Sequence, residues 1–557
     1  MGGILHHLAH ETLTTSPSPF HTTLFFLSLL TLTWLAHDLY TWRVHLRHVP
    51  GPFRSSLTCY HALFTRGFSG RLNSWITSQN DQHGRLFRIG PNHVITDDPD
   101  VLRRLGTQRS SYSKSGWYTN ITRLVRGADS TLSLGGSARN NALHRERRGL
   151  LAGTYAGRDN SSSTSSSSSD DIGTGIGTGN SSSSAEQALD LQVGEFVAYL
   201  DRKSTNETTN TVVDFSVAAQ YFALDAIAQI LWGSPFGFLR DDADFGRYVQ
   251  TLQDFLPVRS ALSSLPILSW LRPVLERMLP SSGDEFGLGR LMGAAERAIR
   301  DRLGDSGVGG VTVKGVVEGK KVGRGDMLSG LMEKGLSGEE LFSETVMAIV
   351  AGSDNTASAL RMAVALLVVT PAAYRKLCEE IDEGVAAGRV SEPVVTDGEA
   401  RAMPYLQAVV RETLRLYPLP AELYKEVPPE GDEVAGYFLP GGTRLGMNLH
   451  GVGRRRDLWG EDAAMFRPER WTEAAADERD GGERFRNMVG WVDLTFGSGR
   501  FQCLGKPLAL MELNKVIVAL LRNFDFAAVD PARPVDVGGY LMYLIKGQVL
   551  RVTRRDH

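Results

Sequence analysis

The residues with the clearest chemistry lie in one run, Phe496-Gly497-Ser498-Gly499-Arg500-Phe501-Gln502-Cys503-Leu504-Gly505. Its glycines permit a tight loop and close backbone approach to a flat ligand. Cys503 stands just before a helical stretch, where free N–H groups and the positive end of the helix dipole favour a thiolate. A thiolate can ligate iron, and Arg500 can neutralise a carboxylate beside it. A cysteine is more often a small buried hydrophobe, which is the reading for Cys59 and Cys378. The spaced pattern around Cys503 argues against that reading there.

Together with four further motifs, this run resembles the cytochrome P450 family. Phe496 to Gly505 fits F-x-x-G-x-R-x-C-x-G at Phe496, Gly499, Cys503 and Gly505, with Phe501 at the arginine position and Arg500 one residue before it; Phe496, Gly497, Arg500, Cys503 and Gly505 are the cofactor-binding residues the resemblance implies. The resemblance implies haem b held through Cys503; ligation by a cysteine thiolate is a property of the family, and spacing alone does not supply it. Glu412-Thr413-Leu414-Arg415 matches E-x-x-R, an i,i+3 pair on one helix face. In the family this pair locks onto a following arginine, here Arg470 of Phe466-Arg467-Pro468-Glu469-Arg470-Trp471. His144 and Arg148 fit the W/H-x-x-x-R of the helix that reaches a haem propionate, and Lys425 stands where an arginine usually approaches the other propionate. Ala351-Gly352-Ser353-Asp354-Asn355-Thr356 resembles the oxygen-binding segment A-G-x-D/E-T-T. Gly352 would leave room over the iron, and Asp354 would sit in the proton path. Asn355 replaces the first threonine, while Thr356 keeps the second. Its amide offers an acceptor and two donors, enough to hold a water beside bound dioxygen. The stretches 112–118, 422–431 and 466–471 look like the filamentous-fungal branch that contains pisatin demethylases.

The family's activity is oxygen insertion into C–H bonds, with electron push from the thiolate favouring O–O cleavage. The resemblance implies a hydrophobic small-molecule substrate of fungal secondary metabolism. Electrons would come from NADPH through NADPH–cytochrome P450 reductase, and cytochrome b5 is a candidate second donor. Substrate contacts would come from residues 112–134, 347–353, 419–423 and 541–543. Two alternatives remain. One is a P450-like isomerase, dehydratase or oxidative-coupling enzyme without oxygen insertion, which Asn355 keeps open. The other is a non-enzymatic haem or membrane scaffold protein.

The elements that position these residues read as mainly α, a P450 fold with a small β-rich region and an N-terminal transmembrane helix. Ser337-Gly338-Glu339-Glu340 carries the pattern of a capping box. A mostly apolar helix follows to Val369, where Thr370-Pro371 stops it. Pro371 opens the next helix, to about Gly384, and Pro404 opens another that stops at Tyr417-Pro418. Extended pieces are expected over 434–438 and 443–449, and a last long helix over 504–523. The Ser/Gly-rich segment 159–184 lacks aromatics and reads as a disordered insertion; residues 304–325 read as a loop.

The 557 residues carry 60 Lys and Arg against 63 Asp and Glu, a net charge of −3, without the basic excess of a nucleic-acid binder. Three scattered cysteines exclude a disulfide framework. Phe20 to Ala36 is apolar apart from His21 and a few hydroxyl residues. With the belt residues Tyr40 and Trp42 it is long enough for the ~27 Å core of an endoplasmic-reticulum bilayer. The first basic residues are Arg43, Arg47 and Arg54. The positive-inside rule thus predicts a lumenal terminus (1–19), a single span (20–42), a basic and Pro-rich hinge (43–52) and a cytosol-facing haem domain (53–557).

Overall fold

The computed structural model describes residues 19–57, 69–135, 137–155, 183–204, 212–262, 276–303, 325–419, 423–477, 479–540 and 542–555. The frame is set by helices α1 (Pro19–Thr41), α2 (Ala138–Tyr155), α3 (Ser184–Ser204), α4 (Phe215–Trp232), α5 (Tyr248–Leu262), α6 (Gly338–Val368), α7 (Pro371–Ala386), α8 (Pro404–Leu416), α9 (Glu469–Ala476) and α10 (Lys506–Asn523). Most of the expected Ser/Gly-rich insertion and of the 304–325 loop lies outside the described residues.

Helices α1 and α4 are both long and apolar enough to cross a membrane, but their surroundings differ. Only 6% of the α1 window is buried, and Leu24, Phe25, Phe26, Leu29, Leu30 and Leu32 stand exposed, so this face has no protein partner among the described residues. The α4 window is 89% buried: α4 lies against α3 and α6 at the centre of the core. Local chemistry sets its ends. Asp214 caps it by accepting from the Ser216 and Val217 amides, and Gly233 closes it in the left-handed conformation. The 31 residues of α6 cross about 46 Å, and α10 packs against them.

Prolines at the first turns of α7 and α8 start those helices as expected. The Ser337 capping box does not form. Ser337 occupies the N-cap position of α6 without a side-chain cap hydrogen bond, because Glu340 pairs with Arg147 of α2 instead. The expected extended piece over 434–438 is a hairpin. Strands Asp432–Val434 and Tyr437–Leu439 pair across Ala435 and Gly436, both at positive φ, the geometry of a tight two-residue turn. The last helix begins at Lys506 rather than Leu504.

A five-stranded sheet lies beside the helical core. Its strands are β1 (Leu86–Gly90), β2 (His93–Thr96), β3 (Ser113–Lys114), β4 (Lys425–Glu426) and β5 (Arg444–Met447), in the order β1-β2-β5-β4-β3. The β3–β4 pairing places Lys114 opposite Lys425. The segment expected as a hinge is partly core: Leu46 and Val49 are buried in the cluster that includes Leu86, Val94 and Leu445 of this sheet.

Candidate active site

The loop Phe496–Gly505 is folded back on itself. The Cys503 amide donates to the Phe496 carbonyl over 2.5 Å, and the Gly497 amide donates to Leu494 over 2.9 Å. Gly497 has φ +73, and a Cβ there would lie 2.6 Å from the Phe501 carbonyl oxygen; a Cβ on Gly499 would collide with the Gly106 carbonyl. Only glycine lets this loop close and dock. The Cys503 side chain is accessible to water although protein surrounds it on nearly every side. Burial pushes the thiol up, against hydrogen bonds from the Gly505 and Lys506 amides and the charges of Arg148 and Lys506. The expected tilt toward thiolate by the helix start is therefore outweighed by desolvation, and a bound cation would have to supply the rest.

Around the loop stand cations. Lys114 and Lys425, opposite each other in adjacent strands, are each only 4% exposed. Like charges directly across a ladder repel, and more so in a dry environment. Burial and neighbouring cations push Lys425 well down, and Lys114 to about 7. Lys425 Nζ donates to the Tyr118 hydroxyl (3.1 Å) and stands 3.8 Å over the Phe501 ring. Lys114 Nζ donates to the carbonyls of Thr131 and Leu132, both at 3.1 Å. His144 of α2, 6.0 Å from the Phe501 ring, is pushed to about 2 by burial and then by Lys114, Lys425, Arg148 and Arg500. Arg148 donates to the Gln502 carbonyl; Arg500 donates to the Tyr112 carbonyl and leaves its Nε buried without a partner. The motif residues His144, Arg148, Lys425, Arg500 and Cys503 therefore share one site. Its donor set fits a flat group that carries two carboxylates and a metal able to take a thiolate. In the sequence Lys114 belongs only to a substrate-facing stretch, since its approach to Lys425 depends on strand register.

Helix α6 carries Asp354, Asn355 and Thr356. Asp354 is fully enclosed: Gln220 Nε2 donates to its Oδ1 over 2.8 Å, and the Tyr248 hydroxyl stands 3.4 Å from Oδ2. Burial raises its carboxyl to about 6, against the Arg361 charge and these hydrogen bonds. Asn355 turns its Nδ2 back onto the Ala351 carbonyl (3.2 Å), leaving Oδ1 buried and without a partner among the described residues. Its amide thus presents an acceptor, with one donor already engaged. Thr356 hydrogen-bonds Glu512 of α10, whose carboxyl burial raises to about 8. A Cβ on Gly352 would lie 2.9 Å from Ile227 Cδ1, so this glycine lets α4 approach α6. Of the expected substrate-facing stretches, two meet: Leu124, Val125, Ala128 and Leu132 pack with Val346, Met347, Val350 and Ala351. Tyr112 instead spends its hydroxyl on Asp432 (2.6 Å), and residues 420–422 and 541 lie outside the described residues.

Below the site, Glu412, Arg415 and Arg470 form a dry cluster. Arg415 grips both oxygens of Glu412 at 2.8 Å, and Arg470 Nε reaches Oε1 at 2.9 Å. The Trp471 indole and the Arg467 amide, neither visible as partners in the motif, add two more donors at 2.9 Å. The rest of the Arg415 fork is spent on the carbonyls of Gly453, Ala463 and Met465. Five donors on one carboxylate tie α8 to the 453–471 segment that leads toward the cysteine loop.

Comparison with known proteins agrees with this geometry. The Cytochrome P450 family model matches residues 175–542. The chain is 36% identical over 523 residues to Cytochrome P450 monooxygenase ABA1 of Pyricularia oryzae, covering 92% of this chain and 93% of that protein. It is 30% identical over 524 residues to Cytochrome P450 monooxygenase aba1 of Botryotinia fuckeliana, at 92% of each. It is also 30% identical over 525 residues to Cytochrome P450 monooxygenase abl1 of Leptosphaeria maculans, at 92% of this chain and 84% of that one. With a cysteine loop, a cationic cradle and relatives that span nearly the whole chain, the protein belongs to the cytochrome P450 family and is a P450 monooxygenase.

Proposed function

We propose that this monooxygenase is anchored by α1 in the endoplasmic-reticulum membrane with its haem domain in the cytosol. It oxidises a hydrophobic small molecule of fungal secondary metabolism, with electrons from NADPH–cytochrome P450 reductase and cytochrome b5 as an accessory donor. The observation that carries the site reading is the pair of buried, register-matched lysines near a water-accessible cysteine. Haem b bound there supplies the iron at which O₂ is activated. Cys503 holds the metal, while Arg148, Arg500, His144, Lys425 and Lys114 hold the two propionates. The apolar layer of Leu124, Val125, Val346 and Met347 excludes water and orients the substrate. Asp354 moves protons, and Asn355 Oδ1 accepts a hydrogen bond in the place of the usual threonine.

The test supplies the membrane-bound protein with reductase, NADPH, ¹⁸O₂ and candidate apolar metabolites. Product carrying one labelled oxygen is expected, and Cys503→His should abolish both product and the reduced-CO band of a thiolate-ligated haem. Asn355 favours one second reading, an isomerisation or coupling reaction on the same site. Product formed without O₂ or NADPH would establish that reading in place of oxygen insertion.

A further inference from the structure

Asp354 is held by a chain of groups that crosses three elements. Arg361, further along α6, donates from Nη2 to Gln220 Oε1 over 2.9 Å and from Nε to the Ser216 carbonyl over 2.7 Å. Gln220 then donates from Nε2 to Asp354 Oδ1 over 2.8 Å. Arginine has only donors, so the Gln220 oxygen must face Arg361 and its NH₂ must face Asp354; the amide cannot be reversed without setting donor against donor. The frame is braced from outside: Gln548 Nε2 donates to the Arg361 carbonyl over 3.0 Å, and the Phe215 amide donates to the Gln548 carbonyl over 2.8 Å. Gln220, Asp354, Arg361 and Tyr248 are all buried.

The two Asp354 oxygens are therefore unequal. Oδ1 accepts the short bond from Gln220; Ser353 Oγ stands 3.4 Å away and gives its one proton to the Ile349 carbonyl at 2.7 Å. Oδ2 has only the Tyr248 hydroxyl, also at 3.4 Å, among the described residues. The charged and titratable groups that act on Asp354 are Arg361 on its own helix and, from α5, Tyr248 and Arg259. Arg361 acts on it through the Gln220 amide, which stands between the guanidinium and the carboxylate.

We infer that Gln220 is a positioning residue for Asp354. It fixes Oδ1, transmits the Arg361 charge as an oriented dipole, and leaves Oδ2 beside Tyr248 as the oxygen that takes up and releases the proton. Over one cycle Oδ2 gains one proton and gives one up, so the carboxyl returns to its starting state. This inference rests on the proposed role of Asp354 in proton delivery, and the experiment separates the two.

Gln220→Met keeps the side-chain length and removes both polar ends; Gln220→Glu keeps the partner of Arg361 but loses the donor to Asp354. In haem-loaded full-length protein, the Asp354 carboxyl C=O stretch is followed against pH by infrared difference spectroscopy, with Asp354→Asn as the blank. Losing a hydrogen bond to the charged form should raise the carboxyl titration by about one unit in Gln220→Met, and further in Gln220→Glu, where a second carboxylate faces it. Gln220→Glu also preserves the Arg361 contact, so the comparison survives if Gln220→Met folds poorly. A purely structural role would lower thermal stability and leave the titration where it is. An Asp354 titration equal to wild type in the folded variant overturns the inference. Peroxide released per NADPH should rise several-fold in parallel. A shifted titration with unchanged peroxide would uphold the positioning by Gln220 and remove Asp354 from proton delivery.

Discussion

Replacing Glu412 by glutamine changes one atom of a carboxylate that takes five N–H donors, three on Oε1 and two on Oε2. The amide can present its oxygen to only one of those sets. The less costly placement keeps the oxygen toward Arg415 Nη2, Arg470 Nε and the Arg467 amide. The NH₂ group then points at Arg415 Nε and the Trp471 indole, and two hydrogen bonds become donor–donor contacts. The charge also disappears. Arg470 retains Asp462 at 3.1 Å, but Arg415 is left with carbonyls alone in a site where its side chain is fully buried. Breaking a buried pair from one side costs about 3–5 kcal/mol. Two lost bonds to a charged group, at ~1.5–3 kcal/mol each, lead to the same range. That is a large part of the ~5–15 kcal/mol that holds a typical protein folded. Urea unfolding followed by far-UV circular dichroism should show an earlier midpoint at unchanged slope, with a smaller haem-loaded fraction after expression. A loss below about 1 kcal/mol would mean that the carboxylate is not the centre of this cluster, and the reasoning from its donors would fail.

Lys425→Met should move two quantities in opposite directions. The haem-free protein becomes more thermostable as the repulsion with Lys114 disappears, while haem passes to apomyoglobin about 10-fold faster for want of a charge-assisted bond; a shift of both in the same sense refutes the cradle. Burial raises the Glu512 carboxyl from 4.5 to about 8, so the folded chain keeps a proton that the unfolded chain has released. Stability contributed by this group is therefore full below pH 4.5 and is lost as pH climbs toward 8. Urea midpoints of wild type minus Glu512→Gln should fall across that window, and a flat or rising difference would exclude the assignment. Deleting residues 1–42 should release much of the protein from membranes with its haem spectrum intact. Deleting 1–50 removes Leu46 and Val49 from the sheet core and should cost about 2 kcal/mol or more for each. Equal stability of the two truncations would show that the 43–50 segment does not pack. Asn355→Ala should release several-fold more peroxide per NADPH than wild type, with Asn355→Thr coupling at least as well as alanine; alanine coupling like wild type would take the amide out of the relay.

The local sequence determines those features whose physics is local. Prolines at 371 and 404 start helices because their fixed φ and missing N–H suit a first turn and nothing inside a helix. The cysteine loop is legible because its glycines, arginine and thiol act within ten consecutive residues. The apolar α1 is legible as a candidate span from its composition, and tertiary structure is needed only to separate it from α4, which is also apolar and is buried. The Glu412, Arg415 and Arg470 motif positions lie together as the pattern implies, but the pattern does not show that the Trp471 indole, in the first turn of α9, and the Arg467 amide, just before that helix, also donate to Glu412. The departures share one cause. Ser337 and Glu340 have the right spacing for a capping box, yet Arg147 of another helix competes for the same carboxylate. Gly352 also lets Ile227 of α4 come close to α6, a contact the motif does not show. Lys114 faces Lys425 through a strand register, and Gln220 reaches Asp354 only because α4 lies along α6. Burial, partner choice and register arise from segments distant in the chain that share the same volume, so only the tertiary structure could decide which charges meet and which oxygen of Asp354 lacks a short hydrogen bond.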